Sequence, residues 1–515
     1  MREKIKLMSN ANSNINSALK KKSLSRPGFG GVFSSAALHS PAFKRNVFFV
    51  FIFIVLLTGG ASRPDVVSLL ALRPMAFLFL GYACLVISRE EMQAIRGPFA
   101  LMVCFAAIMA LQLIPLPPAI WSSLPQRDVI YAVSQDLNLE NLWRPISLVP
   151  SRTLNSLLSL SVPTAAMMLF AILDERDQRR VPIVVIAMGI ASMIFGLLQV
   201  AGPSDGPLYT YEITNNGVLV GFFANRNHHA AFLACLIPLA VSVLFAKLSK
   251  RQSGKSQQNF LYIAMTVAMI VFVLPYILVT GSRAGVLLAI TGLVMAASLW
   301  ALWLAGEKRR ADQPNSRTAN KAVKRSDLLR RLSIVPIVSA VILLGVAAAV
   351  YLDRDFALNR YQQLSDVEEL RGQTLPVLAE IAKTHFAFGS GFGSFEALYK
   401  MWEPDNLLRV NYLNQAHNDA LQLVIEGGIP ALAIFAGLLW ILSQRVATLV
   451  RTSRENGRLP FVSIAWFFVI LMICAASLPD YPLRTPIMMV VFTLAICSFV
   501  MPGHLGKPTQ IRPDL

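Results

Sequence analysis

The length of the apolar runs constrains this chain more than any other feature. A stretch of about 18 apolar residues is long enough to cross the hydrocarbon core as one helix. About twelve runs of this kind, some slightly shorter, lie near 46–60, 72–88, 97–115, 153–173, 181–201, 227–247, 259–280, 285–306, 334–352, 428–444, 461–478 and 485–501. They do not alternate apolar and polar residues, which excludes an outer-membrane barrel. Only 15% of the residues are charged, against about 25% in an ordinary soluble domain. The expected fold is an all-α polytopic membrane protein, with a transmembrane domain over 46–501 between tails 1–45 and 502–515. The first tail is rich in Ser, Asn and Lys and reads as disordered. Its position, and the lack of a small-residue cleavage site after the first run, argue against a removable signal.

Charge gives the expected orientation. The chain carries a net charge of +18. With the N-terminus inside, more than two-thirds of its Lys and Arg fall in the cytoplasmic segments, and most of the acidic residues fall opposite. By the positive-inside rule both termini are cytoplasmic. The runs Lys20-Lys21-Lys22, Lys308-Arg309-Arg310 and Arg330-Arg331 then read as topology determinants beside anionic lipid. No aromatic-interleaved basic patch points to nucleic acid. Cys84, Cys104, Cys235, Cys474 and Cys497 all fall inside apolar runs and read as small packing residues. Three outward segments are long, 116–152, 202–226 and above all the polar stretch 353–427, and loops of such length are uncommon unless functional.

On a net-negative outward face each arginine stands out. Arg283, in Thr280-Gly281-Ser282-Arg283-Ala284-Gly285, lies where one span ends and the next begins, level with lipid phosphates. Its planar fork can hold two phosphate oxygens, and the following helix N-terminus adds backbone amides. The bland reading is a snorkelling interfacial residue. Arg371, in Glu369-Leu370-Arg371-Gly372, opens an apolar helical pattern in the large loop, where a salt bridge to Glu368 or Glu369 is the competing role. Arg226, in Asn225-Arg226-Asn227-His228-His229, and Arg484, in Asp480-Tyr481-Pro482-Leu483-Arg484, each border a span on the outer side.

Of six histidines, His417 in Ala416-His417-Asn418-Asp419-Ala420 is the best placed for general-base work near neutral pH. His228 and His229 are adjacent on a helix and point to different faces. No HExxH, P-loop or GxSxG elbow is present, and the nearest approach to a metal-binding carboxylate pair in the outward segments, Asp353-Arg354-Asp355, has an Arg interposed, so a metal site is not expected. Gly389-Ser390-Gly391-Phe392-Gly393 reads as a closely packed turn.

Taken in order, Gly221-Phe222-Phe223-Ala224-Asn225-Arg226-Asn227-His228, Gly281-Ser282-Arg283-Ala284-Gly285, Phe388-Gly389-Ser390-Gly391-Phe392-Gly393-Ser394-Phe395, and Ala416-His417-Asn418 with Glu426-Gly427-Gly428 resemble the O-antigen ligase family, which includes Wzy-type polymerases. The resemblance covers roughly 205–445. It implies a GT-C-like helical bundle in the bacterial inner membrane and a periplasmic, metal-independent, inverting glycosyl transfer with no cofactor. The donor would be a glycan on undecaprenyl diphosphate, and the acceptor lipid A–core or a growing polysaccharide. By motif, Arg283 and Arg371 correspond to the diphosphate-binding arginines and His417 to the catalytic histidine. Arg226, Asn225, Asn227, Arg484 and Glu426 are secondary candidates. Two other classes compete. A transporter should show internal repeats and broken helices meeting at the midplane, which the sequence lacks, and a non-enzymatic envelope scaffold should have no activity of its own.

Overall fold

The computed structural model describes residues 35–248, 256–311, 372–408, 413–456 and 459–501. Among the described residues the chain is all-α apart from one two-residue antiparallel pair, β1 (Pro115–Leu116) with β2 (Arg144–Pro145). The main helices are α1 (Pro41–Thr58), α2 (Ser68–Val86), α3 (Arg89–Leu111), α4 (Pro150–Ser159), α5 (Ser161–Ala171), α6 (Val181–Ala201), α7 (Arg226–Leu248), α8 (Ser256–Thr280), α9 (Arg283–Ala311), α10 (Asp419–Asn456), α11 (Phe461–Ala476) and α12 (Pro486–Val500). The helices long and apolar enough to cross a membrane number nine among the described residues, with α4 and α5 forming one near-continuous span; α11 and α12 are shorter apolar helices. The chain is a polytopic membrane protein. The expected run 334–352 lies outside the described residues.

Helix α7 is the axis of the bundle. Its span is 83% buried, against 17% for α3, and α6, α8, α9 and α11 pack around it. No hydrophobic force favours helix association within lipid, so close backbone approach through small residues does this work. On α9, a Cβ added at Gly285 would lie 2.4 Å from Ala230 Cβ, and one at Gly292 would lie 3.1 Å from the Ala234 carbonyl. Alanines on α7 thus face glycines on α9.

Helix α10 differs from the sequence expectation. Its apolar run begins at 428, but helix starts at Asp419, with a break at Gly428 (φ 58°) ahead of Pro430. Gln422 and Glu426 make the first two turns look like loop, yet they lie one turn apart, and Gln422 Nε2 donates to Glu426 Oε1 at 3.0 Å. At the break, the Ile429 amide turns out to the Phe386 carbonyl, 2.8 Å away.

The connections 59–67, 112–149, 202–225, 281–282 and 477–485 meet the described part of the large loop at one end of the bundle. Backbone hydrogen bonds join them: Ala224 N to Gly60 O and Ile487 N to Gly59 O at 3.0 Å, Leu148 N to Ser390 O and Asp419 N to Ser477 O at 2.9 Å. In 389–393, Gly389 has φ 75° and its backbone lies so close to the Glu426 carbonyl that a Cβ would meet it at 2.2 Å. Any side chain there would force the turn off α10.

Candidate active site

Three short motifs converge at this end. The first is set by Gln199 on α6, whose side-chain amide grips both backbone groups of Gly221 at 2.9 Å. Asn225 Oδ1 then accepts the Asn227 amide at 2.8 Å and Asn215 Oδ1 the Arg226 amide at 3.0 Å, starting α7 with Arg226 in its first turn. The second is the turn before α9. Gly281 takes a left-handed conformation, Ser282 Oγ accepts the Gly285 amide at 3.0 Å as an N-cap, and Arg283 becomes the first residue of α9. The third puts His417 two residues before α10, with φ 49°.

These motifs face one cavity of about 770 Å³, lined by Asn225, Arg226, Asn227, Arg283, Asn414, His417 and Tyr481 among others, and also by Arg63. Among the described residues no Asp or Glu lines it. Arg63 is held by Asp65 at 2.7 Å, and Arg226 and Arg283 are the other two arginines of the chamber wall. Its wall continues down α9 through Leu287, Leu288 and Thr291, giving a cationic mouth over an apolar groove.

His417 is oriented by a residue that sequence reasoning passed over. Its Nδ1 lies 3.2 Å from Asp480 Oδ1. A carboxylate only accepts, so Nδ1 carries the proton and Nε2 has the lone pair. Asp480 is buried and densely bonded: Oδ2 accepts Asn227 Nδ2 at 3.0 Å and Oδ1 accepts the Tyr481 amide at 3.1 Å. His228 Nε2 stands 3.8 Å from Oδ1, while its Nδ1 pairs with Thr485 Oγ1 at 2.9 Å. Burial alone would raise the Asp480 pKa; the neighbouring His228 imidazole and the hydrogen bond from His417 outweigh it and hold the carboxyl well below the usual carboxylate range. Tyr481 packs edge-on against both imidazoles, 4.8 Å from His417 and 5.0 Å from His228. His229 faces away, toward Ser192 and the Leu219 carbonyl.

A second chamber of about 640 Å³ adjoins the first and shares Ala61, Ser62, Arg63, Asn414, Ala475 and Leu478 with it. Arg63, Arg73, Arg152 and Arg484 line it together with Asp65, Glu396, Asp419 and Glu426, so its charges balance. Arg484 and Glu426 belong here and not beside His417. Arg484 Nη2 meets Glu426 Oε2 at 2.9 Å and its Nε meets Asp419 Oδ1 at 3.5 Å. Burial works against the guanidinium charge, but the two carboxylates win and raise its pKa. Arg152 faces Glu396 at 3.8 Å, and Arg73 bonds Asn155. Phe105 and Phe392, edge-on at 4.9 Å, form an apolar side. Arg371 lies outside the described residues. Among the described residues, no three His, Cys, Asp or Glu side chains gather as metal ligands.

Residues 268–436 match the family model Wzy_C, described as O-antigen ligase. The chain carries an O-antigen ligase domain. That domain contains Arg283, His417 and Glu426, whereas Arg226, Asp480 and Arg484 lie outside the matched residues. The O-antigen ligase family comprises glycan-transferring proteins of the bacterial inner membrane, acting on lipid-linked glycans. No curated protein matches the chain.

Sequence reasoning missed Asp480 and, in the second chamber, Asp65, Glu396 and Asp419, whereas Arg484 and Glu426 were among its secondary candidates. Asp480 sits in the same quoted segment as Arg484, and an acid beside an apolar run, on the side expected to hold His417, was the available signal. Arg63, Arg73 and Arg152 had none, because the connection 59–67 and the helices α2 and α4 bring them together from separate parts of the chain.

Proposed function

We propose that this protein transfers a glycan from undecaprenyl diphosphate to an acceptor hydroxyl on the periplasmic face, as an O-antigen ligase-like, inverting, metal-independent glycosyltransferase. The observation that carries the reading is one chamber in which Arg226, Arg283 and His417 face a common space, with no carboxylate in its lining among the described residues. Two arginines suit the diphosphate, and the apolar groove along α9 suits the polyprenyl chain. Arg371 joins this set through the family resemblance. The charge-balanced chamber suits the acceptor, since Arg–carboxylate pairs offer donors and acceptors to neutral sugar hydroxyls without attracting a second diphosphate.

In the reaction, His417 Nε2 takes the proton of the acceptor hydroxyl as its oxygen bonds to the anomeric carbon. The bond from that carbon to the diphosphate oxygen breaks, and the lipid diphosphate leaves with the electron pair. One displacement inverts the anomeric centre. Arg226 and Arg283 stabilise the charge growing on the leaving group, and Asp480 holds the His417 ring and stabilises its imidazolium. Purified full-length protein, incubated with a lipid-linked glycan and a core acceptor, should yield acceptor-linked glycan and free undecaprenyl diphosphate in chelated buffer. Wild-type protein that makes no product while an authentic ligase does in parallel would refute the reading. Polymerised glycan still on the carrier would mark a Wzy-type polymerase instead.

A further inference from the structure

Away from both chambers, the outer segment 112–149 holds a charge that no group among the described residues neutralises. Arg127 starts the short helix Asp128–Asp136 and is 1% exposed. Its Nη2 donates to the Ile146 carbonyl, but Nε and Nη1 are buried without a hydrogen-bond partner. Its guanidinium carbon lies 5.4 Å from the Trp121 ring centre, and Arg144 occupies the same indole at 5.1 Å. The indole therefore serves two cations and neutralises neither. His385, 3% exposed and at the end of the helix over residues 372–384, also has a buried Nε2 without a partner. Arg127 and His385 border one small cavity of about 10 Å³, together with Ile146 and the turn at Phe388 and Gly389.

We infer that this cavity is a binding site for one small monovalent anion of the chloride class, held by Arg127 Nε and Nη1 and by His385 Nε2–H. A water molecule would fit the volume and could satisfy one or two donors. It would leave the charge of a guanidinium that is itself almost wholly buried uncompensated, an expensive arrangement. An anion meets both demands, and every orphaned atom at the cavity is a donor or becomes one in the appropriate tautomer.

The site also has a mechanical consequence. It joins the 112–149 segment to the turn at Phe388–Gly389, and Gln112 already bonds the carbonyls of Phe388 and Glu426 at 3.2 and 2.8 Å. The anion would thus lock the outer segment onto the first turns of α10, next to the turn that carries His417. Binding itself does not depend on what His417 does.

The test uses the full chain in detergent micelles, with chloride exchanged for gluconate at constant ionic strength. Wild-type protein should show a Tm that rises with chloride and saturates. Arg127→Met, which keeps the side-chain volume and removes the charge, should lose that response and melt no lower than wild type in gluconate. Because the variant could fold differently, bromide gives an independent reading on wild type. Bromide should quench a saturable fraction of tryptophan fluorescence, and Trp121→Phe should remove that fraction. A wild-type Tm equal in chloride and gluconate, a chloride response retained by Arg127→Met, or bromide quenching with no saturable part would each overturn the inference and leave water as the occupant.

Discussion

His417 has a left-handed backbone (φ 49°), which costs a non-glycine residue roughly 1–2 kcal/mol, while its ring is bonded to Asp480. Strain of this sort persists where surrounding structure enforces it, and it lets stability be separated from chemistry. Asn tolerates this region better than most residues. His417→Asn protein should therefore melt within a few degrees of wild type, yet lose about 10²–10⁴-fold of its transfer rate with its general base gone; equal rates at matched abundance would remove His417 from the mechanism. Asp480→Asn should also lower kcat, by about 10²-fold or more, with the donor KM little changed. The sign of its pH effect follows from the depressed pKa. A carboxylate lowered by folding stabilises the native state above its unfolded pKa, and this contribution fades as pH falls through the folded value. The Tm gap between wild type and Asp480→Asn should stay level from pH 7 to 5 and narrow only below about pH 4. A gap that closes already near pH 6 would contradict the arrangement. In the cationic chamber, Arg283→Ala should cost about 10²–10³ in rate, and Arg283→Lys should recover little of it, because a point charge replaces a fork.

Helix elements carry these residues to the site, and packing decides how accurately. Gly285 sits two residues after Arg283 and against Ala230, so Gly285→Ala should push α9 away from α7 and move the guanidinium with it. A lower Tm and a raised donor KM are the expected pair, read by thermal melting and by kinetics on the lipid-linked donor; an unchanged KM would mean that α9 does not set the position of Arg283. The sequence was most legible where physics is one-dimensional. Eleven of the twelve apolar runs fall on described helices, because burial in lipid demands length and hydrophobicity and little else. The start of α10 was not legible, since Gln422 and Glu426 are polar for a reason found only in three dimensions. Gln422 bonds the Ala416 amide at 2.9 Å, and Glu426 meets Arg484 from a distant turn. His417, Arg226 and Arg283 could be picked out because each is a costly residue at the edge of an apolar run. Asp480 was overlooked because its partners come from α7 and from the turn before α10, and Arg73 and Arg152 because their partners Asn155 and Glu396 lie on distant elements.

At the scale of the whole molecule, everything proposed for the site requires both chambers to open on one side of the membrane, opposite the basic segments. Successive spans alternate direction, so the connection carrying Ser204 should share a side with His417, and the one carrying Glu175 should lie opposite. The segment around Glu175 also contains Arg176, Arg179 and Arg180, which the positive-inside rule assigns to the cytoplasm. Both positions are exposed and neither contributes to a chamber, so a cysteine can report there without touching the chemistry. In a background with the five native cysteines replaced, Ser204→Cys should react with an impermeant maleimide on intact spheroplasts, and Glu175→Cys only after permeabilisation. The reverse pattern would turn the cationic chamber to the cytosol. A lipid-linked glycan already displayed in the periplasm could not then reach His417, and the proposed transfer would fail even with every distance in the site unchanged.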